Sequence, residues 1–500
     1  MHTLPPPPSL SEELPSGMQP LYRRLAEHYL TAIRANTLPP GQRMPSVRRL
    51  MRQHGVSLST ALHALRYLEQ YGWLEARPRS GYFVRQPRRA MLRPVAEPLD
   101  LTPTNPEQYA GIHERVSAFV SKLQQQPLSI DLSGMNCAPE LYPVETLKNV
   151  AIRNLRRKPS LLTKSPEHSG NAGFRAILAR RALTGGMHLT ATDIVVTNGC
   201  IEAINVALRA VAQAGDTIAV ESPTYFGLLQ ALDSLGMVAL EIPTSPQTGI
   251  SLEALELAMR SHPHIKAVVV VPNLQNPLGC IMPDANKARL VSLCELRQIP
   301  LIEDDTYTEL ADVSVPLKAL KAWDTTGNVI HCASLNKVLA PGMRLGWLTA
   351  GRWQARVEML KYAYTRGNEE WTQMSAADFL DSSAYERHLR RLRNALKQQR
   401  EQVAEAVAEY FPEGTRLNVS SGGIGLWVEL PQMLTSDRVF EAALKEGIGI
   451  SPGLIFSNSN RYSNYLRLCC GQPYTGQVEQ ALKRLGGITK RMLEEMVVAT

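Results

Sequence analysis

The chain lacks the features that mark membrane and secreted proteins. No stretch of its 500 residues approaches the roughly 18 uninterrupted apolar residues that suggest a membrane-spanning helix. The first residues, MHTLPPPPSL, do not show the basic segment followed by an apolar one that a signal peptide requires. The sequence therefore predicts a cytoplasmic protein with no membrane partner.

Cysteine is scarce as well. The seven cysteines are scattered, odd in number and without the paired spacing of a zinc site. This pattern argues against a disulfide framework and fits a reducing compartment. No metal site is expected.

Lysine is absent from residues 19–93, and acidic residues there number only three. The same segment holds fourteen arginines, so its net charge is +11, against +8 for the whole chain. A basic excess confined to one segment favours binding to a polyanion, of which nucleic acid is the usual one. The alternative is a solvated basic face without a partner.

Residues 19–86, which we call the head, are predicted to form a winged helix-turn-helix. Helices are expected from about Leu21 to Ala35 and from about Leu58 to Tyr71, with a shorter one between them and two strands after them. In such a unit the last helix faces base edges in the major groove, and arginines contact phosphates. The candidate DNA contacts are Arg43, Ser46 (also an N-cap), Arg48, Ser57, Ser59, Thr60, His63, Arg79 and Gly81. A protein-interaction module is the alternative.

The pattern changes from about Ser129 onward. Short β-branched runs alternate with longer amphipathic segments, which predicts a mostly parallel sheet with helices between its strands. The part after about Glu369 is predicted to be a smaller α+β domain. The runs predicted as strands of the sheet are DIVVT, TIAVE, KAVVVVP, PLIEDD, NVIHCAS and RLGWLTA.

These patterns divide the chain into four segments. Residues 1–18 are assigned to a disordered N-terminus, 19–86 to the head, 87–125 to a linker and 126–500 to a segment that we call the body. A short helix is expected in the linker near Glu114–Lys122. Within the body, the large part is predicted to cover about 166–365, and the small part about 126–165 and 366–500.

The strongest chemical motif is SLNKVLAPGMRLG, in which Lys337 follows a predicted strand. Pyridoxal phosphate needs a lysine amine for a Schiff base, donors for its phosphate and a carboxylate at its ring nitrogen. Asp304, at the end of another predicted strand, supplies the carboxylate. Each motif alone has an ordinary alternative: a surface lysine for Lys337, and a metal or cap site for Asp304.

Other residues complete the predicted site. Tyr307 and Asn276 are expected to donate to the ring oxygen, and Tyr225 to stack on the ring. The amides of Gly199, Cys200 and Ile201 open a helix after a strand, where a phosphate is stabilised. Ser334 and Arg344 are the remaining phosphate ligands, and Arg467 is expected to bind the α-carboxylate of a substrate as a bidentate pair.

Two resemblances connect these motifs. The head resembles the GntR family of bacterial regulators through LPPGQRMPSVRRL and GVSLSTALHALRYLEQYGWLEARPRSGYFV. The body resembles fold-type I aminotransferases through the order NPLG, EDDTY, SLNK, Arg344 and Arg467. The order of head, linker and body is similar to the MocR subfamily of GntR-type regulators.

The MocR resemblance implies a head-to-tail homodimer that binds double-stranded DNA. It implies that the body senses pyridoxal phosphate, or an amino acid or amine that exchanges onto it, through the Schiff base on Lys337. The alternative is an active aminotransferase that carries a DNA-binding head; a cofactor-binding scaffold with neither activity is a third class. The sequence departs from the families at Leu58, where many members have Arg or a polar residue, and at Ser165, Cys200, Ile201 and Asn336.

Overall fold

In the computed structural model the chain divides into two units, Met1–Ala90 and Met91–Thr500. The structure describes residues 20–35, 37–39, 41–70, 73–77, 80–85, 92–95, 112–262 and 264–498. The predicted N-terminal disordered segment and most of the linker therefore lie outside the described residues.

The head consists of three helices and a hairpin: α1 (Leu21–Arg34), α2 (Val47–His54), α3 (Leu58–Gln70), β1 (Leu74–Arg77) and β2 (Gly81–Val84). The Ser46 hydroxyl accepts a hydrogen bond from the Arg49 amide at 3.3 Å, which confirms Ser46 as the N-cap of α2. Gly55 then ends α2 with a φ of +61°, a conformation that glycine adopts without strain.

The hairpin is antiparallel, and Arg43 bridges to Phe83, so the segment before α2 extends it. The core of the head draws on all three helices and both strands, and includes Leu25, Leu50, Leu65, Leu74 and Val84. The predicted winged helix-turn-helix is confirmed in its described residues.

The helices of the body are, in chain order, α4 (Ile112–Gln125), α5 (Val144–Arg157), α6 (Ala172–Ala182), α7 (Cys200–Val211), α8 (Phe226–Ser234), α9 (Leu252–Ser261), α10 (Asp284–Leu296), α11 (Gln354–Tyr364), α12 (Glu370–Leu380), α13 (Ser383–Tyr410), α14 (Ser436–Lys445) and α15 (Gly476–Val498). The strands are β3 (Ile130–Asp131), β4 (Val195–Asn198), β5 (Thr217–Ser222), β6 (Val238–Ser245), β7 (Gly249–Ile250), β8 (Ile265–Val270), β9 (Leu301–Asp305), β10 (Val329–Ser334), β11 (Leu345–Thr349), β12 (Arg416–Asn418), β13 (Gly425–Glu429), β14 (Ile448–Gly449), β15 (Ser451–Pro452) and β16 (Tyr465–Cys469).

An eight-stranded sheet forms the centre of the body, in the order β4-β11-β10-β9-β8-β5-β6-β7. The neighbouring pairs from β10 through β6 are parallel, whereas β11 and β7 run antiparallel to their neighbours. One face packs against α7 and α8, and the other against α9 and α10. The mostly parallel α/β sheet predicted from the sequence is confirmed, and all six predicted runs are strands in it.

A second sheet, of order β12-β13-β16-β15, lies in the C-terminal part, where β14 also pairs with β3. The long helix α13 packs along α15 there. This sheet carries Arg467, while the central sheet carries Asp304 and the strand that precedes Lys337.

The structure differs from the sequence-based expectations in two places. Residues 112–125, which we assigned to the linker, form α4, whose Ile112, Val116 and Phe119 are buried in the core of the body. Helices α5 and α12, which we assigned to the small part, pack on each other, and α12 packs on α6, so they share a core with β4 and β11.

All seven cysteines are buried free thiols, and all lie in the body. Among the described residues, no helix combines the length and apolar character needed to cross a membrane.

Candidate functional site

The floor of the site is the end of β9. The Oδ1 atom of Asp304 accepts hydrogen bonds from the Thr306 amide at 3.1 Å, the Thr306 hydroxyl at 2.6 Å and the Cys200 thiol at 3.2 Å. Burial raises the pKa of Asp304, while the two Thr306 bonds favour its ionised form. The carboxylate is therefore held in one orientation, as the partner of a protonated ring nitrogen must be.

Lys337 lies three residues after the end of β10. Its Nζ donates to the Met135 carbonyl at 2.5 Å and to Asn136 Oδ1 at 3.0 Å. Burial, helped by the charges of Arg467 and Arg344, lowers the pKa of Lys337 to about 8. More of this amine is therefore uncharged and nucleophilic near neutral pH than in an ordinary solvated lysine.

A donor-rich cradle forms where β4 leads into α7. Gly199 connects them with a φ of +79°, and a Cβ at this position would lie 2.8 Å from Asn336 Nδ2 and 3.2 Å from Arg344 Nη2. Arg344 reaches the same turn, donating from Nη2 to the Asn198 carbonyl at 3.1 Å. The Ser334 hydroxyl is buried without a hydrogen-bond partner among the described residues. A positive helix end, a guanidinium and an unpartnered hydroxyl fit a phosphate group.

Two tyrosines flank the site. Tyr307 is buried after β9, and Tyr225 is half-buried immediately before α8. Burial raises the pKa of both phenols, so each keeps its proton and serves as a donor.

Arg467 enters from the C-terminal sheet and is 2% exposed. Its Nη1 donates to Asn276 Oδ1 at 2.9 Å, and its Nη2 donates to the Ser133 carbonyl at 2.6 Å and to Ser451 Oγ at 3.2 Å. The guanidinium carbon lies 4.9 Å from the centre of the Phe456 ring. These contacts fix the guanidinium, while its Nε has no partner among the described residues.

The structure brings the predicted body residues into one site. Arg467 and Arg344 are close enough to Lys337 for their charges to lower its pKa, and Asp304 and Cys200 are close enough to Tyr225 to raise the pKa of its phenol. Asn276 is connected to the site by its hydrogen bond with Arg467. The cradle contributes Gly199, Ile201 and Ser334.

Several residues of this site were not predicted from the sequence. Thr306 orders Asp304, and a hydroxyl two residues after an aspartate is a pattern that could have revealed it. Asn136 and Ser133, by contrast, come from a loop about 200 and 330 positions away from their partners. No local pattern indicates contacts of that separation.

In the head, Ser57, Ser59 and Arg48 are exposed, and Thr60 is half-buried. Arg43 lies beside Gly81, whose φ is +100° and where an added Cβ would be 3.6 Å from the Arg43 guanidinium. The remaining candidates are His63, which is exposed with its ring centre 5.8 Å from that of Tyr22, and Arg79, which lies outside the described residues.

Comparison with known proteins assigns both units. Residues 21–84 match the family of bacterial regulatory proteins, gntR family, and residues 134–485 match the family aminotransferase class I and II. The chain is 37% identical to the "Uncharacterized HTH-type transcriptional regulator YjiR" of Escherichia coli (strain K12), over 95% of this chain and 99% of that protein. The chain belongs to the MocR subfamily of GntR-type transcription regulators.

Two further similarities agree with this architecture. The "Uncharacterized HTH-type transcriptional regulator YdcR" of Escherichia coli (strain K12) is 34% identical over 94% of this chain and 99% of that protein. The structure of LysN, an alpha-aminoadipate aminotransferase from Thermus thermophilus complexed with N-(5'-phosphopyridoxyl)-L-leucine, matches with 26% identity and a TM-score of 0.70, over 77% of this chain and 97% of that one. This MocR-type regulator joins a DNA-binding head to a fold-type I aminotransferase body, and its cofactor is pyridoxal 5'-phosphate.

Proposed function

We propose that this regulator senses pyridoxal phosphate, or an amino acid or amine that reacts with it, through Lys337, and that the linker relays the response to the DNA-binding heads. The observation that carries the proposal is the position of the Lys337 amine, held by Met135 and Asn136 in one site with Asp304 and Arg467. Burial lowers the pKa of this amine to about 8, which favours its nucleophilic form. When bound, pyridoxal phosphate supplies an aldehyde that condenses with primary amines and a ring that withdraws electrons.

The residues of the chain divide this work. Asp304, ordered by Thr306, would hold a proton on the ring nitrogen, and Tyr307 would donate its hydroxyl to the ring oxygen. The amides at the start of α7, together with Ser334 and Arg344, would bind the phosphate. Arg467 binds the carboxylate of an amino acid effector, for which its Nε is the unpartnered donor.

An effector amine that replaces Lys337 changes the contacts of that side chain. A Lys337 amine that is not attached to the cofactor would donate to the Met135 carbonyl and to Asn136, the two partners that it has in this structure. The segment around residues 133–136 also contacts Arg467 through the Ser133 carbonyl. Occupation of the site by an effector therefore alters both ends of this segment at once.

Helix α4, which replaces the C-terminal end of the predicted linker, supports the relay because it contacts residues adjacent to the site at two places. Arg115 Nη2 donates to the carbonyls of Ser457 at 3.2 Å and Asn458 at 2.9 Å, the residues that follow Phe456 under Arg467. Phe119 meets Phe226 with ring centres 6.2 Å apart, directly after Tyr225. Movement of either Arg467 or Tyr225 therefore reaches the end of the linker.

The test measures coupling between the two units. Fluorescence anisotropy would give the affinity of the full-length protein for a duplex from its own upstream region, in the apo form, with pyridoxal phosphate, and with cofactor plus each amino acid or amine of a panel. We expect at least one compound to change the DNA affinity roughly five-fold or more, with DNA changing the affinity for that compound by the same factor. Equal affinity in every state would contradict the proposal.

A variant of Arg115 tests the relay through α4 separately. Arg115→Ala removes both contacts to residues 457 and 458 without entering the cofactor site, so we expect effector binding to persist while its effect on DNA affinity falls towards zero. Glu114→Ala, an exposed neighbour on the same helix, is the matched control and should keep the coupling. Unchanged coupling in Arg115→Ala would exclude α4 as the route.

We propose further that the protein acts in the cytoplasm as a head-to-tail homodimer. Paired heads fit two half-sites on DNA, and buried free thiols fit a reducing compartment. Apolar side chains on and after α5 support association, since Val144, Ile152 and Leu162 are exposed. Sedimentation velocity should give a dimer for the wild type and a weaker one for Leu162→Asp, whereas a monomeric wild type would reject this part.

Turnover as an aminotransferase is the second candidate, supported by the presence of Lys337, Asp304 and Arg467 in one site. The same panel separates the two functions. A sensor binds its amino compound without releasing a keto acid, while an enzyme releases keto acid repeatedly when an acceptor is supplied. Multiple turnovers at a rate independent of DNA would favour the enzyme.

A further inference from the structure

The first turn of α3 is held together by its own hydroxyl groups. Ser57 Oγ accepts from the Thr60 amide at 3.2 Å, which makes Ser57 the N-cap. The same oxygen pairs with the hydroxyls of Ser59 at 2.9 Å and Thr60 at 2.8 Å. These three side chains therefore satisfy one another, which fixes the turn and reduces their freedom to read bases.

Leu58 projects from that turn with no comparable partner. It is the first residue of α3 and is 54% exposed, while the inner face of the same helix, including Ala61, Leu65 and Leu68, is fully buried. A single exposed leucine is ordinary on a protein surface. Leu58, however, lies at the N-terminal end of α3, between the exposed Ser57 and Ser59. A winged helix-turn-helix places this helix in the major groove.

The chemistry of a leucine limits what it can recognise there. The thymine C5-methyl is the apolar group that a base pair presents in the major groove, and every other distinguishing edge group is a hydrogen-bond donor or acceptor. The Leu58 side chain cannot form a hydrogen bond with any of those polar groups. If Leu58 packed on a guanine or adenine edge, the donors and acceptors of that edge would lose water and gain no hydrogen-bond partner. A thymine methyl, by contrast, gains from the contact.

We propose that Leu58 is a specificity-determining residue that selects thymine in each half-site by packing on its methyl group. The inference rests on the proposed function, since it requires that the head bind DNA through α3. It differs from the Arg and Ser contacts predicted above, because it assigns sequence choice to an apolar side chain and leaves the arginines to the phosphates.

The experiment removes single methyl groups from DNA. Preferred duplexes are selected from a random pool with the full-length protein, and each thymine in the selected site is then replaced, one at a time, by deoxyuridine, which lacks only the methyl. We expect one replacement per half-site to weaken binding roughly four-fold or more. Leu58→Ala should bind the deoxyuridine and thymidine duplexes equally, and Leu58→Arg should shift the selected base at that position towards guanine.

Leu21→Ala is the matched control, because Leu21 is 52% exposed in the same unit but begins α1. It should discriminate thymidine from deoxyuridine as the wild type does. Two results would overturn this inference but not the proposed function. One is wild-type protein that binds equally well with deoxyuridine at every position. The other is a Leu58→Ala variant that discriminates thymidine from deoxyuridine as the wild type does. A wild type without salt-dependent binding to any duplex overturns the proposed function as well.

Discussion

The head and the body build their sites in opposite ways. In the head, the candidate contacts are mostly exposed side chains such as Arg43 and Arg48, on a unit without a lysine and with little acidic charge. In the body, Arg467 is buried, Lys337 and Asp304 are half-buried, and all three are already hydrogen-bonded. Binding at the head should therefore depend on charge and salt, whereas binding at the body should depend on the position of individual atoms.

The largest test of this difference is Lys337→Ala. We expect complete loss of the visible absorbance of the cofactor-loaded protein and of the covalent mass increase after borohydride treatment, because no other amine among the described residues of the site replaces this nucleophile. Binding of the head to non-specific DNA should stay unchanged. Lys158→Ala, at an exposed position, is the control and should keep both signals. If the Lys337→Ala protein still shows the mass increase of covalently attached cofactor, another amine of the protein forms the attachment.

Gly199→Ala tests the phosphate cradle. The added Cβ would approach Asn336 and Arg344 in a backbone conformation that costs other residues about 1–3 kcal/mol, so we expect cofactor affinity to fall by roughly ten- to a hundred-fold. Gly342→Ala is matched to it, because nothing lies within 4 Å of the position that its Cβ would take. If equilibrium dialysis gives the same cofactor affinity for Gly199→Ala as for Gly342→Ala, the cradle is not preformed but adjusts to the added Cβ.

The pH dependence of cofactor attachment sharpens the comparison further. Attachment needs the neutral amine, and the pKa of Lys337 is lowered to about 8, so the rate should rise with pH and level off above that value. At pH 7 we expect about a tenth of the plateau rate. Stopped-flow absorbance on the apo-protein measures this. A rate still rising above pH 10 would indicate an ordinary solvated lysine.

The smallest expected effect is in the head. Arg43→Ala should lower the slope of log affinity against log salt by about one and weaken binding similarly for all sequences, because a phosphate contact carries no base information. Arg77 is the control, since it is paired with Glu75 at 2.5 Å and has less charge to offer. A sequence-selective loss in Arg43→Ala would place that residue on a base edge.

Strands of the central sheet could be predicted because their buried positions are consecutive, as in β8 and β10. Strand β6 was missed because its three buried positions are separated by half-buried ones and it includes a proline, so it lacks a continuous apolar run. Helix α4 was placed in the linker because only three of its side chains are buried, and they are buried by residues that lie far along the chain.

The same distinction holds within the site. Motifs such as EDDTY and SLNK carry their chemistry locally, so Asp304 and Lys337 could be proposed from the sequence. The state of each group depends on distant partners: Arg467 is fixed by Asn276, 191 positions away, and Lys337 by Asn136, 201 positions away. Their roles in the bound complex remain predictions that the variants above address.

The burial of every cysteine has a practical consequence. Thiol-specific reagents react with accessible thiolates, and here burial raises the pKa of all seven thiols, including Cys200 and Cys280. The folded wild-type protein should therefore react very little with maleimides. A single cysteine introduced at an exposed position of the head outside the candidate DNA contacts, such as Thr31 on α1, would be the one reactive thiol. A dye attached there would report how the head responds when the body binds its effector.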